Sequence, residues 1–499
     1  MNPKDHLEKA IEINPEFSDA RFQLALLYIA DGEDDHAQPH LEKVIELVPE
    51  HAEAFRYLGL VLQRAKQYDE SRERFQQSIE LDPEKAITYS NIASLFVEMG
   101  QTEEAKYNLI QSIELDSNYA PAYYNFARLL IAPEEFEEAR KNYITAIDID
   151  PNYREAHYYL AKLFATGRKS TTDGTPLLEP ERDEAENLLR RVIEIDPAFA
   201  KAYYNLGLLL QHKGDRAEAR TMLEKSIELD VGYAKAYFRL AMLLVELEEP
   251  ALALENFKKA IECYPDDEQT YYQLAMLQYS QKDLPTAREY FLKTIEIKPD
   301  FAEAHYNLAR LLEEEGEDEE ARSHYNRTVE ISEEHALGHY HLGLLLERHD
   351  ELVEAKSNFE KAIAIDPNFA DAYYQLARLL RDPEEYDSAR KYYTVAIDID
   401  PRHAMAHYEL AKLLGGGFRV AEDGTPETKP DLDGAVNQFT KAININPKFP
   451  NAYFHLALVL EDKRDYRKAQ MSLETAIKLN AEYAEAHYRL ALLLPKLQS

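Results

Sequence analysis

The chain has 499 residues, of which 45% are hydrophobic and 30% are charged, and it carries 57 basic against 92 acidic side chains. This composition fits a folded, soluble protein and excludes a collagen-like or disordered chain, because glycine and proline are sparse. The net charge of −35 argues against nucleic acid as a partner, since phosphates would be repelled, and the bulk charge favours basic partners or none.

The motifs of common catalytic and metal sites do not occur in the sequence. Cys263 is the only cysteine, which excludes an intramolecular disulfide and a cysteine-based metal site. There is no phosphate-binding glycine loop, HExxH or GxSxG motif, so we expect no enzyme activity, no metal and no cofactor. There is also no apolar run of membrane length, and residues 1–15 lack a signal-peptide pattern. These features predict no membrane insertion and a cytoplasmic location.

A short segment that ends in Asp-Pro or a close variant recurs along the chain, and we call its last residue the proline slot. Successive slots are 34 residues apart, except for two steps of 46 residues. Ten residues after each slot lies Ala or Gly, and twelve residues before each slot from 49 onwards lies Ala, or once Ser. The slots are Pro15, Pro49, Pro83, Ser117, Pro151, Pro197, Val231, Pro265, Pro299, Glu333, Pro367, Pro401, Pro447 and Ala481.

Each unit contains two stretches of helical periodicity, which we call its first and second helix. Residues 202–210 and 219–229 are typical, with apolar side chains three and four positions apart. Small residues that face each other on two antiparallel helices let the helix axes approach closely. The proline ends the second helix and begins the turn to the next unit.

A 34-residue helix-turn-helix unit with this code of small residues and proline resembles the tetratricopeptide repeat (TPR) family. The resemblance covers essentially the whole chain and implies an all-α fold, a right-handed TPR α-solenoid superhelix. We predict 13 full repeats from Ser18 to Tyr483, two of them with 12-residue insertions. Half repeats at about Pro3–Ile13 and Ala484–Leu494 bring the prediction to 28 helices. One departure from the family is that the first-helix aromatic position, six residues after the slot, never holds Trp.

The sequence also repeats on a longer scale. Shifting it by 250 residues superimposes the slots of one half on those of the other, and both insertions contain Asp-Gly-Thr-Pro, at 173–176 and 423–426. We therefore predict two seven-repeat cassettes, residues 1–250 and 251–499, in one continuous solenoid. The insertions, Thr166–Asp183 and Gly416–Asp433, are polar and turn-rich, and loops of this kind are often functional.

The two ends of the array are predicted to be complementary. Each end presents apolar residues on a helix that lacks its partner helix, and the two half repeats are the missing halves of one unit. Because a head-to-tail contact that does not close produces a filament, the first hypothesis is self-assembly into a superhelical homo-polymer. The alternative is a piece of a longer array, or ends that fray. The predicted assembly residues are Leu7, Ala10, Ile11, Leu490, Ala491, Leu493 and Leu494.

In TPR proteins the first helices line a concave groove, so the resemblance implies that ligand contacts lie on them. Seven residues after the slot runs an aromatic series, which either binds a ligand or packs between repeats. Four residues further on run basic side chains, which either bind an acidic peptide or are neutralised by nearby acids. The predicted groove residues of these two series are Tyr124, Tyr158, Tyr204, Tyr306, Tyr374 and Tyr408, with Arg128, Lys162, Arg310, Arg378 and Lys412.

Some TPR modules hold the terminal carboxylate of a peptide with five conserved side chains. Asn205, Lys235 and Arg239 match three of those positions, but Tyr158 and Lys162 stand where Lys and Asn are expected, so the match is partial. The sequence thus predicts a non-catalytic scaffold for protein–protein interaction. The second hypothesis is a monomeric adaptor that binds peptides or proteins in the groove. The third is the substrate-recruiting arm of a larger enzyme.

Overall fold

The computed structural model describes residues 2–166, 168–169, 176–178, 181–416 and 430–497, and within these residues 28 α-helices follow one another. The chain divides into two compact units, residues 1–265 and 266–499. Even-numbered helices are first helices and odd-numbered helices are second helices. The predicted cassette boundary at 250/251 is a boundary of sequence duplication and stays a prediction.

The first unit contains fifteen helices and one short strand pair among its described residues. The helices are α1 Pro3–Ile13, α2 Ser18–Ala30, α3 Asp34–Leu47, α4 Ala52–Arg64, α5 Tyr68–Leu81, α6 Ala86–Glu98, α7 Thr102–Leu115, α8 Ala120–Leu129, α9 Phe136–Ile149, α10 Arg154–Thr166, α11 Arg182–Ile195, α12 Ala200–Lys213, α13 Arg216–Leu229, α14 Ala234–Glu246 and α15 Pro250–Cys263. Strands β1 Arg168–Lys169 and β2 Pro176–Leu178 are antiparallel, with Arg168 opposite Leu178.

The second unit contains thirteen helices among its described residues. They are α16 Glu268–Ser280, α17 Leu284–Ile297, α18 Ala302–Glu315, α19 Asp318–Ile331, α20 Ala336–Arg348, α21 Leu352–Ile365, α22 Ala370–Leu379, α23 Tyr386–Ile399, α24 Ala404–Leu414, α25 Leu432–Ile445, α26 Pro450–Asp462, α27 Tyr466–Leu479 and α28 Ala484–Leu493. Three short 3-10 segments complete the two units, at Pro133–Glu135, Pro383–Glu385 and Leu494–Leu497.

The structure confirms the predicted all-α helix-pair architecture, including the unpaired helices at both ends. The β1–β2 pair inside the first insertion is a small departure from a purely helical chain, since that segment was expected to be a loop. The rest of the two predicted insertion loops lies outside the described residues, apart from their edges.

The Asp-Pro segment forms the turn between repeats for a local chemical reason. The Asp side chain accepts a hydrogen bond from the backbone N–H two residues on, at 2.9 Å between Asp366 Oδ1 and Asn368 N and 3.0 Å between Asp196 Oδ1 and Ala198 N. This Asx turn suits a following proline, whose fixed φ belongs at the second position of a turn. The sequence signal therefore marks a hydrogen-bonded turn as well as a helix stop.

In eight first helices the side chain six residues after the slot bonds back to the slot carbonyl, which explains most of the residue types found there. The Tyr203 hydroxyl donates to Pro197 O at 3.2 Å, and His407 Nε2 lies 3.2 Å from Pro401 O. Arg21 makes the same contact, because its Nε donates a hydrogen bond to Pro15 O at 2.9 Å. Tyr, His and Arg all carry a donor at the end of a long side chain. The histidines at this position therefore have a structural role.

The core of each repeat is a large side chain eight residues before the slot, packed against the small residue of the first helix. In the thirteen second helices from α3 to α27 this side chain is at most 5% exposed. At Gly343 an added Cβ would lie 2.8 Å from the Phe359 ring, so the small residue is required by close approach. The large residues are Leu41, Phe75, Leu109, Tyr143, Leu189, Leu223, Phe257, Phe291, Tyr325, Phe359, Tyr393, Phe439 and Leu473.

Two first helices end early at equivalent places in the two units. Helices α8 and α22 have ten residues each, whereas most first helices have thirteen or fourteen, and each is followed by a 3-10 turn that begins at Pro133 or Pro383. The residue before a proline is disfavoured in helical conformation, so Ala132 and Asp382 cannot easily continue the helix. The shortened helix removes side chains that would otherwise cover the second helix of the same repeat.

Candidate functional site

The predicted groove tyrosines pack between successive repeats. The ring of Tyr306 lies 6.1 Å from that of Tyr325 in its own repeat and 4.9 Å from that of His335 at the start of the next. Tyr374 repeats the pattern with Tyr393 and His403. Five of the six predicted rings are buried, namely Tyr124, Tyr158, Tyr306, Tyr374 and Tyr408, and Tyr204 is half-buried. The rings join repeats, so little of their surface is left for a ligand.

Burial also sets the ionisation of these tyrosines. Loss of solvent raises the pKa of Tyr124 and of Tyr374 to about 12, so both phenols stay neutral at physiological pH. The Tyr158 hydroxyl accepts a hydrogen bond from Asn205 Nδ2 at 2.9 Å. Asn205 also donates to Lys201 O at 2.7 Å. This predicted clamp residue is therefore engaged in linking two first helices.

The predicted basic series lies over the aromatic series. In each case the cation sits on the ring of the tyrosine four residues earlier in the same helix, as a cation–π pair. The distances from charged group to ring centroid are 5.5 Å for Arg128 and Tyr124, 5.8 Å for Lys162 and Tyr158, 5.8 Å for Arg310 and Tyr306, 5.8 Å for Arg378 and Tyr374, and 5.3 Å for Lys412 and Tyr408. We call the surface that carries these cations the first-helix face of each unit.

Local neutralisation, the alternative interpretation of these cations, applies to only some of them. Arg378 pairs with Glu347 at 3.3 Å and Lys412 with Glu409 at 3.0 Å. Three further first-helix cations make no ion pair with a carboxylate within the described residues. These three are Arg128, Arg239 and Arg310. Arg128 and Arg239 are exposed, whereas Arg310 is half-buried.

Cations on the second helices, in contrast, form ion pairs with acidic residues of the next repeat. A basic residue eleven positions before the slot reaches the acidic residue 29 positions later, at the start of the next second helix. Arg322 contacts Glu351 at 2.6 Å, Lys356 contacts Glu385 at 2.9 Å, and Lys106 contacts Glu135 at 2.6 Å. Partly exposed pairs of this kind contribute about 0–1 kcal/mol each. This series of ion pairs shows that many cations on the second helices already have an acidic partner within the chain.

A pocket of about 280 Å³ opens where α8 ends early. Arg128 and Lys162 line it, with Tyr143 and Tyr159 in its wall. Ile131, which follows the truncated helix, also lines the pocket and is 81% exposed. Sequence reasoning named the two cations but missed Ile131, Tyr143 and Tyr159. The available signal was Pro133, whose place near the end of a first helix predicts a helix stop.

The predicted assembly residues range from exposed to completely buried. Ala491 is exposed, although the Ala or Gly at this position is buried in the other thirteen first helices. Leu7 and Ala10 are half-buried, whereas the corresponding residues of the other second helices are buried.

Leu493 is completely buried, which corrects its prediction as part of an open end surface. It packs with Phe454 and Leu473 in the last core cluster, beside the 3-10 segment Leu494–Leu497. Leu490 is half-buried against the same cluster, and Leu494 is 43% exposed. The C-terminal end surface is therefore smaller than the sequence predicted.

Sequence models described as "Tetratricopeptide repeat" or "TPR repeat" match most of the chain. The matched residues are 18–51, 50–118, 127–167, 199–266, 238–300, 272–336, 337–369, 358–391, 431–463 and 450–483. The chain belongs to the tetratricopeptide repeat family. It is accordingly a TPR protein-interaction scaffold, which confirms this part of the prediction from the sequence.

Solved structures of TPR proteins resemble this one at low sequence identity. The hetero-tetramer Cut9–Hcn1 of the APC/C matches at 16% identity over 98% of this chain and 92% of that chain, with a TM-score of 0.38. Yeast Tom70 matches at 17% identity over 90% and 97%, with a TM-score of 0.33. YrrB, described as a TPR protein with an unusual peptide-binding site, matches at 25% identity over 42% and 97%, with a TM-score of 0.32. None of the curated proteins compared with this chain matches it significantly.

The described residues were also compared with the requirements of a membrane span and of a metal site. No helix there combines the length and the apolar character needed to cross a membrane. No cluster of three or more His, Cys, Asp or Glu side chains in the same residues has the arrangement of a metal site.

Proposed function

We propose that this TPR protein is a non-catalytic adaptor that binds acidic segments of partner proteins on its first-helix faces. The observation that carries the proposal is the set of first-helix arginines without a carboxylate partner among the described residues, in a chain of net charge −35. A cation held over an aromatic ring and free of an internal acid is available to a ligand carboxylate. Hydrogen bonds to charged groups contribute about 1.5–3 kcal/mol each.

The proposal predicts that charge reversal on the first-helix face weakens binding of acidic peptides. Arg239→Glu and Arg310→Glu are each expected to lower affinity by about tenfold or more, because each removes a cation and adds a repelling carboxylate. Fluorescence anisotropy with glutamate-rich labelled peptides measures the effect. Lys258→Glu is the matched control, since Lys258 is exposed on the second helix α15 and its reversal changes the net charge equally. Equal losses in Lys258→Glu and Arg239→Glu would contradict a role for the face.

A second candidate function, head-to-tail self-assembly, is favoured by the exposure of Ala491. Gly59, Gly207 and Gly343 hold this position in three other repeats and closely approach the large side chain of the second helix, and Leu7 occupies the large-residue position of α1. A second copy of the chain would therefore bring to Ala491 the partner that its position lacks. The high net charge opposes the association of two copies, so the proposal expects assembly to strengthen as salt screens that repulsion.

Ala491→Arg tests this assembly. The substitution places a charged side chain at an exposed position and is expected to abolish concentration-dependent association while leaving helix content unchanged. Sedimentation velocity across concentrations at high salt measures it, with Glu485→Arg as a control at another exposed position of α28. A wild-type chain that stays monomeric at every concentration would contradict the proposal.

The third hypothesis, the substrate-recruiting arm of a larger enzyme, stays a prediction.

A further inference from the structure

The two units carry matching cations in different surroundings, although one is a sequence duplicate of the other. Shifting by 250 residues places Arg128 on Arg378 and Lys162 on Lys412. The acids that neutralise Arg378 and Lys412 are Glu347 and Glu409. At the corresponding positions the first unit has Val97 and Tyr159. Arg128 thus lacks the acid that pairs with its duplicate, Arg378.

A repeat in the second unit shows which side chains a carboxylate contacts at the corresponding place. There the buried hydroxyl of Tyr325 donates to Glu313 Oε2 at 2.9 Å, and Arg348 also bonds to Glu313. Glu313 lies fourteen residues after its slot, and the residue at that position in the pocket repeat is Ile131. Tyr143 is the counterpart of Tyr325. Within the described residues, the Tyr143 hydroxyl has no hydrogen-bond partner.

The pocket therefore presents a tyrosine hydroxyl whose counterpart, Tyr325, bonds to a carboxylate elsewhere in the same protein, and Arg128 lies beside it. Arg128 lies 5.4 Å and Lys162 5.5 Å from the centroid of the Tyr159 ring, so both cations flank one side chain of the wall. Both cations are exposed, and Ile131 adds an apolar rim. The volume of about 280 Å³ is at the lower limit of ligand pockets, which suits a peptide side chain rather than a larger molecule.

We propose that the pocket at the end of α8 is a subsite for a carboxylate next to an apolar side chain in a partner's peptide segment. The proposal rests on the adaptor function proposed above and narrows it to one unit. The ligand carboxylate takes the place that Glu313 holds beside Tyr325, accepting from the Tyr143 hydroxyl and from Arg128. The ligand's apolar side chain lies against Ile131. The equivalent site of the second unit is closed to anions by Glu347 and Glu409.

The test uses the full chain and a pool of labelled, C-terminally amidated heptapeptides that contain two Glu and two Leu in all orders. The same pool with Gln in place of Glu is the probe control. Wild type is expected to bind the Glu pool about tenfold or more tightly than the Gln pool, because hydrogen bonds to a charged group are lost in the latter. A pool with a free C-terminus shows whether a terminal carboxylate serves as well.

Exchange of the diverged residues between units gives the decisive variants. V97E with Y159E converts the first pocket to the second-unit pattern and is expected to remove the preference for Glu. E347V with E409Y and R381I does the reverse, since Arg381 stands in the place of Ile131, and is expected to add one site to the calorimetric stoichiometry. Tyr143→Phe removes only the hydroxyl, so it keeps the test valid if the double variant misfolds, and it should weaken binding of the Glu pool several-fold.

The outcomes separate the pocket from the general adaptor function. If V97E with Y159E and Tyr143→Phe both bind like wild type while Arg239→Glu and Arg310→Glu lose affinity, the pocket is wrong and the first-helix face stands. If the pocket variants alone lose affinity, the pocket is the main site. If wild type does not distinguish the Glu pool from the Gln pool, both proposals are overturned.

Discussion

Phe359→Ala is expected to destabilise its repeat by about 3–5 kcal/mol, because it removes a completely buried ring and leaves a cavity. The ring fills the space against Gly343, where no side chain is available to collapse into the void. In a repeat array each unit contacts only its neighbours, so the loss should stay local. Amide hydrogen exchange in α20 and α21 should accelerate by about a hundredfold or more.

Val353→Ala provides the control for that measurement. Val353 belongs to the same helix, α21, but is 79% exposed, so its truncation should leave exchange in α20 and α21 unchanged. Helices of the first unit should not respond to either substitution. Similar exchange rates in the two variants would show that the position eight residues before the slot is not the core of the repeat.

A histidine pair, His305 buried and His324 half-buried, is expected to make the second unit sensitive to acid. His305 Nε2 lies 3.2 Å from Pro299 O and donates to it, which leaves Nδ1 of the neutral ring as an acceptor for His324 Nδ1 at 2.9 Å. Burial, with help from the positive neighbours His305 and Arg288, lowers the pKa of His324 to about 4. Burial also lowers the pKa of His305. The folded state therefore resists protonation of both rings.

The sign of the pH dependence follows from these shifts. An unfolded histidine has a pKa of about 6.5, so below that pH the unfolded chain binds a proton that the folded chain does not. Stability is complete above pH 6.5 and falls as the pH decreases towards 4. The contribution of His324 to this loss is at most about 3 kcal/mol, because solvent screens the partly exposed ring. Urea denaturation of the full chain at a series of pH values measures it.

His324→Asn is the matched variant, because the next repeat already contains this arrangement. There His339 Nδ1 lies 2.9 Å from Asn358 Oδ1, so Asn is compatible with the site and carries no titrating ring. Carboxylates titrate in both proteins, and the difference between wild type and variant isolates the histidine. The difference in unfolding free energy should change between pH 7 and pH 4. A constant difference over that range would contradict the account.

The repeat architecture was predictable because its determinants are periodic. Ala or Gly ten residues after the slot, Ala twelve residues before it, and the Asp-Pro turn recur often enough to fix both helices of every unit. The half repeats at the ends followed from the same register. Burial of Leu493 was not predictable from the register, because it depends on how α28 and the 3-10 segment at Leu494–Leu497 pack on the preceding repeat.

The candidate site was predicted only in part. Arg128 and Lys162 were visible as cations at one repeat position, but the availability of Arg128 depends on Val97, which lies at a position where other repeats carry Glu. The role of Tyr143 depends on the absence of a nearby carboxylate, which spacing alone does not reveal. His305 lies at a position that holds Tyr or His in most repeats, but the position of its partner, His324, varies freely, so no sequence signal marked the pair.

The central claim, that the first-helix faces bind acidic segments, is tested most directly by hydrogen–deuterium exchange of the full chain with and without the Glu pool. The account predicts slower exchange in the first helices that carry Arg128, Arg239 and Arg310, namely α8, α14 and α18, and no change in the second helices other than α9, which carries Tyr143. Protection confined to the second helices, or the same protection by the Gln pool, would contradict it.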